Sequence, residues 1–262
     1  MAEPDLFPPA SIARRVDRET FVLLGGAAAL LLQVAHPVVA AGVAQHSRFR
    51  EDPFGRLHRT LDSTLTIVFG EPDSARAALR RIDRRHGAVS GTTDDGQAYR
   101  ARDPRLLLWV QTTLVLTSLR LYELVLGPLP VADRERYWSE TKPIAAVLGI
   151  PESMLPATLA DLEALERAAL AADVVPSATS FELARSIMRP LPLPGVLYAP
   201  LDALTAALLP DGLRAPLGLR WGTRERLLFR AVIVTLRLAR RIAPGTLTVV
   251  PHARRWERRH AD

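Results

Sequence analysis

Apolar residues recur at helical intervals along nearly the whole of this 262-residue chain, and no stretch alternates apolar and polar positions long enough to predict a useful strand. Asp17-Arg18-Glu19-Thr20 opens an apolar helix to about Gln33, and Pro37 restarts the chain as a second helix to about Ser47. Helices follow at Phe54–Phe69, stopped by Gly70, and from Asp73 to about Val89, stopped by Gly91. Gly91 to Arg102, rich in Gly, Asp and Thr, reads as a loop. Asp103-Pro104 then caps a long apolar helix ending at Gly127-Pro128, and further helices are expected at about Ala132–Leu148, Leu155–Ala171, Ser180–Met188, Gly195–Leu208 and Thr223–Ile242. The fold class is therefore all-α: one multi-helix domain over 15–245, after an N-terminal segment, 1–14, and before a basic tail, 246–262.

Two stretches, Phe21–Val43 and Leu106–Leu126, are apolar enough to raise the question of a membrane span. The first is broken by Gln33 and His36-Pro37, the second carries Gln111, Arg120 and Glu123, and both fit buried core helices better. The acidic start, Met1-Ala2-Glu3-Pro4-Asp5, is unlike a secretory leader, so a cytoplasmic location is expected. With aromatics at only 6% of residues, the apolar volume comes from Ala, Leu and Val, which suits helices. The absence of cysteine excludes disulfides, zinc-thiolate sites, iron–sulfur clusters and thiolate-ligated haem, leaving metal chemistry to six histidines and the carboxylates. The net charge of +6 is spread over the chain, so no nucleic-acid partner is expected. The exception is the cluster Arg254, Arg255, Arg258 and Arg259 around Trp256, read as a solvated tail capable at most of weak contact with a membrane surface.

No Walker loop, zinc-protease helix, dinucleotide fingerprint or nucleophile elbow occurs, and Gly25-Gly26 suits close helix–helix approach. The histidines are more informative. His86 shares an apolar helix face with Ala75, Leu79, Ile82 and Val89 and points inward. It is either a core histidine satisfied by one hydrogen bond or an axial ligand to a b-type haem. The preceding helix sets Leu57, Leu61, Leu65 and Val68 opposite Arg56, Arg59, Thr60 and Ser63, a polar face that is either solvated or lines a cofactor pocket. His36 and His46 lie in an Ala- and Val-rich segment, are expected to be partly buried, and either hold a loop or line a pocket. His58, His252 and His260 are given no role.

From about Arg15 to Trp221 the chain resembles the haem-dependent rubber oxygenases (latex clearing proteins) and their bacterial relatives, a group that includes the fungal mycophenolic-acid pathway oxygenase. The resemblance rests on Leu23-Leu-Gly-Gly, Gln33-Val-Ala-His-Pro, Gly42-Val-Ala-Gln-His-Ser and Asp52-Pro-Phe-Gly-Arg-Leu-His-Arg-Thr-Leu. It continues through the His86 helix with Gly91, Tyr99, Asp103-Pro104 and Leu108-Trp-Val, then Tyr137, Glu140, Leu148-Gly-Ile-Pro and Leu209-Pro-Asp-Gly-Leu-Arg. It implies an all-α bundle enclosing haem b, with the proximal ligand at the position of His86. The distal Arg-x-x-Lys-Thr of the latex clearing proteins is similar to Arg56-Leu-His-Arg59-Thr60, with Arg59 in place of the lysine. A guanidinium has no free lone pair, so Arg59 cannot occupy the iron as an amine could. Many bacterial relatives read Trp-Val-His where this chain reads Trp109-Val110-Gln111.

The expectation is a haem b-dependent oxygenase: His86 is the metal ligand, Arg56, Arg59 and Thr60 shape the distal pocket, and Arg56, His36 and His46 join His86 around the cofactor. Its partners are O2 and a small hydrophobic, unsaturated substrate. The competing expectations are a haem-binding or haem-sensing protein without turnover, and a structural helical protein that binds a partner.

Overall fold

Asp103, whose carboxylate accepts the Arg105 N–H at 2.9 Å, and Gly127, in a left-handed conformation at φ 94°, delimit the longest helix, α6 (Pro104–Leu126). The computed structural model describes residues 5–46, 53–93 and 95–260, with the side chains of 53–58 outside that description. Before α6 come α1 (Ile12–Asp17), a 3-10 turn (Thr20–Gly25), α2 (Gly26–Ala35), α3 (Pro37–His46), α4 (Pro53–Phe69), α5 (Pro72–Gly87) and a hairpin of β1 (Ser90–Thr92) and β2 (Ala98–Arg100). After it come α7 (Val131–Val147), α8 (Leu159–Ala172), α9 (Ala178–Met188), α10 (Ala199–Leu208), α11 (Asp211–Arg214), α12 (Thr223–Ile242), α13 (Gly245–Thr248) and α14 (Pro251–Arg259). The all-α fold class holds, with the hairpin as the sole sheet among the described residues.

The other helices are arranged around α6, which packs against α1, α2, α7, α8, α10, α12 and the 3-10 turn. Leu116, Leu119 and Leu121 are buried in the larger core, with α1, α4, α7 and α14 around them. Trp109 joins a second core built from α2, α3, α9 and α10. The apolar length of α6 is therefore spent on protein contacts, and no single helix among the described residues is long and apolar enough to cross a membrane. The other apolar stretch bends by 104° where His36 leaves the helical region (ψ 121°) ahead of Pro37. Gly25 serves the close approach expected of it: a Cβ there would lie 3.2 Å from the Thr117 methyl and 3.3 Å from Leu121, whereas Gly26 faces open space.

Two expectations need correction. The 91–102 segment is a hairpin, pairing Ser90 with Arg100, Gly91 with Tyr99 and Thr92 with Ala98. The described part of the 246–262 stretch is no solvated tail, because Val249, Val250 and Ala253 are buried in the main core. There the Arg14 guanidinium lies 4.1 Å above the Trp256 ring while its Nε donates to the Val68 carbonyl at 3.0 Å, tying α14 to α1 and α4. Arg259 is drawn toward the body too, pairing with Glu71 at 2.9 Å.

Where α1 meets α7, Asp17 accepts a hydrogen bond from the Tyr137 hydroxyl at 3.2 Å, and burial pushes its carboxyl up from 3.8 to about 7. Between those values the unfolded chain releases a proton that the folded one keeps, so stability falls as pH rises across the window. Asp17→Asn keeps an acceptor for Tyr137 and abolishes the titration. Its urea midpoint is expected to match wild type near pH 4 and to exceed it progressively toward pH 7.5, by at most about 1.4 kcal/mol for each pH unit crossed. A gain of the same size at every pH contradicts the assignment.

Candidate functional site

Hydrogen bonding sorts the histidines into two groups. His46 is exposed, contrary to expectation, and its Nε2 lies 2.9 Å from the Ser90 carbonyl. His252 pairs with Asp62 of α4 at 3.1 Å, and His260 reaches the Trp256 carbonyl at 2.9 Å while stacking on that ring. His58 lies outside the described residues as far as its side chain is concerned. The rings of His36 and His86 are half-buried and make no hydrogen bond among the described residues; the His36 Nδ1 is fully buried and unpartnered. Burial is also the main cause that lowers the pKa of both.

His86 sits in the last turn of α5, on the same side as Ala75 and Leu79, which are buried. A helix C-terminus favours imidazolium, and so does Asp83 one turn back; Arg102 opposes them, and desolvation outweighs both favourable charges. The ring is thus held neutral, the state in which a nitrogen lone pair is free. Arg102 crosses the end of α5 and grips Asp83 through Nε at 3.0 Å and Nη2 at 2.6 Å. The guanidinium lies close over Gly87, where a Cβ would stand 2.8 Å from its carbon. This clamp fixes the end of α5 against the residue pair that starts α6. Asp103, the next residue, and Asp173 favour the charged form of His36, against the larger effect of its burial.

The hairpin after His86 is locked onto α3. Tyr99 donates from its hydroxyl to Gln45 Oε1 at 2.8 Å, and Gln45 Nε2 donates to the Thr92 carbonyl at 2.9 Å. Beneath them Tyr99, Val38 and Ala41 form a small apolar cluster with Val89 and Leu106. His46 adds its contact to Ser90 and meets Tyr99 edge to face. The structure therefore makes His46 an anchor for the hairpin. Arg59 and Thr60 lie exposed on α4, and the side chain of Arg56 is outside the described residues. Gln111 is buried and donates to the Thr141 carbonyl of α7 at 2.9 Å, leaving its Oε1 unpartnered, as is the indole nitrogen of buried Trp109.

A cavity of about 610 Å³ opens elsewhere, lined by Arg120, Glu123, Leu124, Glu166, Leu208 and Arg237 among others, and none of the candidate residues borders it. Among the described residues no group of three His, Asp or Glu side chains could hold a metal ion. A haem asks less of the chain: one neutral imidazole with a free nitrogen, which His86 and His36 both have. Helical spacing singles out His86, whereas the Asp83–Arg102 pair across Gly87 is not legible from it. Its only sequence signal was an acidic residue one turn before the histidine.

The helical architecture agrees with what similarity shows. The chain belongs to the family described as the ER-bound oxygenase mpaB/B′ and rubber oxygenase catalytic domain, whose model it matches over residues 13–238. It is thus a member of an oxygenase family. Similar proteins include two described as uncharacterized, one from Mycobacterium bovis and one from Mycobacterium tuberculosis. Each is 28% identical over 228 residues, covering 83% of this chain and 88% of the relative. No solved structure gives a significant match.

The hairpin lock makes one residue critical. A Cβ on Gly91 would come within 2.5 Å of Gln45 Oε1 and 2.7 Å of the Tyr99 hydroxyl, so Gly91→Ala must break that hydrogen bond or lift the hairpin. A loss of about 1–3 kcal/mol in chemical denaturation is expected. Gly96→Ala, at a positive φ of 89° but in open space, relies on backbone strain alone and is expected to cost only about 1 kcal/mol. Equal effects of the two substitutions would contradict the lock.

Proposed function

We propose that this chain is a haem b-dependent oxygenase in which His86 would hold the iron, acting with O2 on a small, hydrophobic, unsaturated substrate. Membership in an oxygenase family supports the reaction class. The observation that carries the assignment of His86 is a half-buried ring with no hydrogen bond among the described residues and a pKa lowered by burial, at the end of a helix that is clamped in place. When bound, haem supplies the activation of O2 that no amino-acid side chain can provide.

The chain's own residues orient, charge and exclude. His86 presents a neutral nitrogen, and the Asp83–Arg102 pair across Gly87 keeps the last turn of α5 from swinging. Arg59's guanidinium offers no free lone pair, so its role is to bind anions such as propionates, with Arg56 one turn earlier and Thr60 next to it. The chain thus supplies no amine at the position of Arg59 that could hold a metal. Gln111, which stands where many relatives carry an imidazole, ties α6 to α7 through the Thr141 carbonyl, a hydrogen bond that an imidazole N–H could also make.

A second reading gives the iron to His36, whose Nδ1 is buried without a partner. Absorption spectra of wild type, His86→Ala and His36→Ala, supplied with haem, reduced with dithionite and then exposed to CO, separate the two. Wild type and His36→Ala are expected to show a Soret band that shifts with CO, while His86→Ala retains haem at least tenfold more weakly. Loss confined to His36→Ala transfers the ligand to His36. Absence of a Soret band in the wild type overturns the haem assignment. O2 consumption with unsaturated lipids or isoprenoids then distinguishes an oxygenase from a haem-binding protein that does not turn over.

A further inference from the structure

Helix α12 carries two apolar stripes where a surface helix needs one. Phe229, Val232, Ile233 and Leu236 face inward, where Ile233 is buried and the other three pack against the main core. On the outside a second set, Leu227, Ala231, Val234, Leu238 and Ile242, recurs at intervals of four, three, four and four residues. Its large members are exposed, from 52% at Leu238 to 82% at Ile242, and Leu247 just beyond is 68% exposed. At 1.5 Å per residue the stripe is roughly 22 Å long. A solvated helix face has no physical reason to hold four large aliphatic side chains in register.

The charge around the stripe indicates what covers it. Helix α12 contains six arginines and one glutamate, and that glutamate, Glu225, is turned back to cap the helix at the Gly222 N–H, 2.8 Å away. Arg240 pairs with Glu19, and Arg237 donates to the Leu124 carbonyl. Arg226, Arg230 and Arg241, beside the stripe, are exposed and make no ion pair or hydrogen bond among the described residues. A second copy of this helix laid on the first would set like charges against each other. A nucleic acid would engage the arginines but leave the aliphatic stripe in water. An anionic lipid surface satisfies both, with aliphatic side chains at the acyl boundary and guanidinium groups among the phosphates.

We propose that the outer face of α12 is a membrane-surface docking site for anionic lipid. The contact is moved from the C-terminal basic cluster, whose helix is packed into the core, to a helix whose outer face is uncovered. This is independent of the haem assignment and of any ligand at His86.

The test is co-sedimentation of the full-length protein with vesicles of phosphatidylcholine alone and of phosphatidylcholine with about one-third phosphatidylglycerol. Two variants are compared with wild type: Val234→Asp with Leu238→Asp, and Arg230→Glu with Arg241→Glu. All four positions are exposed, and unchanged melting curves verify folding. Wild type is expected to partition at least tenfold more strongly onto the anionic vesicles, with binding falling as salt is raised, and each double variant to lose most of that binding. Failure of wild type to bind the anionic vesicles, or undiminished binding by both variants, overturns the proposal. So does a wild-type dimer in light scattering that becomes monomeric in Val234→Asp with Leu238→Asp, which assigns the stripe to a second copy.

Discussion

In a 23-residue helix sunk into a protein, buried polar groups are costly to leave unpaired, and the bonds α6 makes to its neighbours organise much of the rest of this fold. Thr112 returns its hydroxyl to the Leu108 carbonyl at 2.8 Å, and Thr113 bonds to Val110 while accepting from Gln33 of α2 at 3.0 Å. Gln111 reaches α7, and Arg120 forms a two-pronged pair with Glu166 of α8. The bonds from Gln33, Gln111 and Arg120 hold α2, α7 and α8 against α6, because an unpaired polar group at such depth costs more than a bond contributes. The candidate site is tied to the same region, since Arg102, just ahead of α6, pairs with Asp83 in α5, one turn before His86.

Most helix boundaries were legible because the chain punctuates them with groups that cannot do anything else. Pro37, Pro53, Pro72 and Pro104 sit at or next to helix starts, and Gly127 ends α6 with a positive φ that other residues rarely adopt. What stayed hidden was structure held by distant contacts. The strands at 90–92 and 98–100 are too short to show alternation, and they exist because Gln45, 46 positions before Gly91, accepts the Tyr99 hydroxyl. Helix α14 reads as a run of arginines, and its burial depends on Ala253 and Trp256 meeting α1 and Arg14.

The site shows the same division. Helical spacing places His86 on an inward face, but spacing treats His36 and His46 alike. Only the folded chain distinguishes them, giving His46 the Ser90 carbonyl and leaving the His36 Nδ1 buried without a partner. The polar face of α4 likewise carries no mark in the sequence that separates a solvated surface from a cofactor wall, and in the structure Arg59 and Thr60 are exposed. Their part belongs to the proposal. For helix α12 the spacing predicts a helix over about Thr223–Ile242, but that one of its apolar stripes lies outside the core shows only in the folded chain.

The central claim is that His86 is the iron ligand, and it is tested most directly by pulsed electron paramagnetic resonance on ferric, haem-supplied protein grown with ¹⁵N-histidine. The account predicts a strong hyperfine coupling from one histidine nitrogen, absent in His86→Gly and restored when that variant is given unlabelled imidazole as a ¹⁴N signal. A ¹⁵N coupling that persists unchanged in His86→Gly would contradict it.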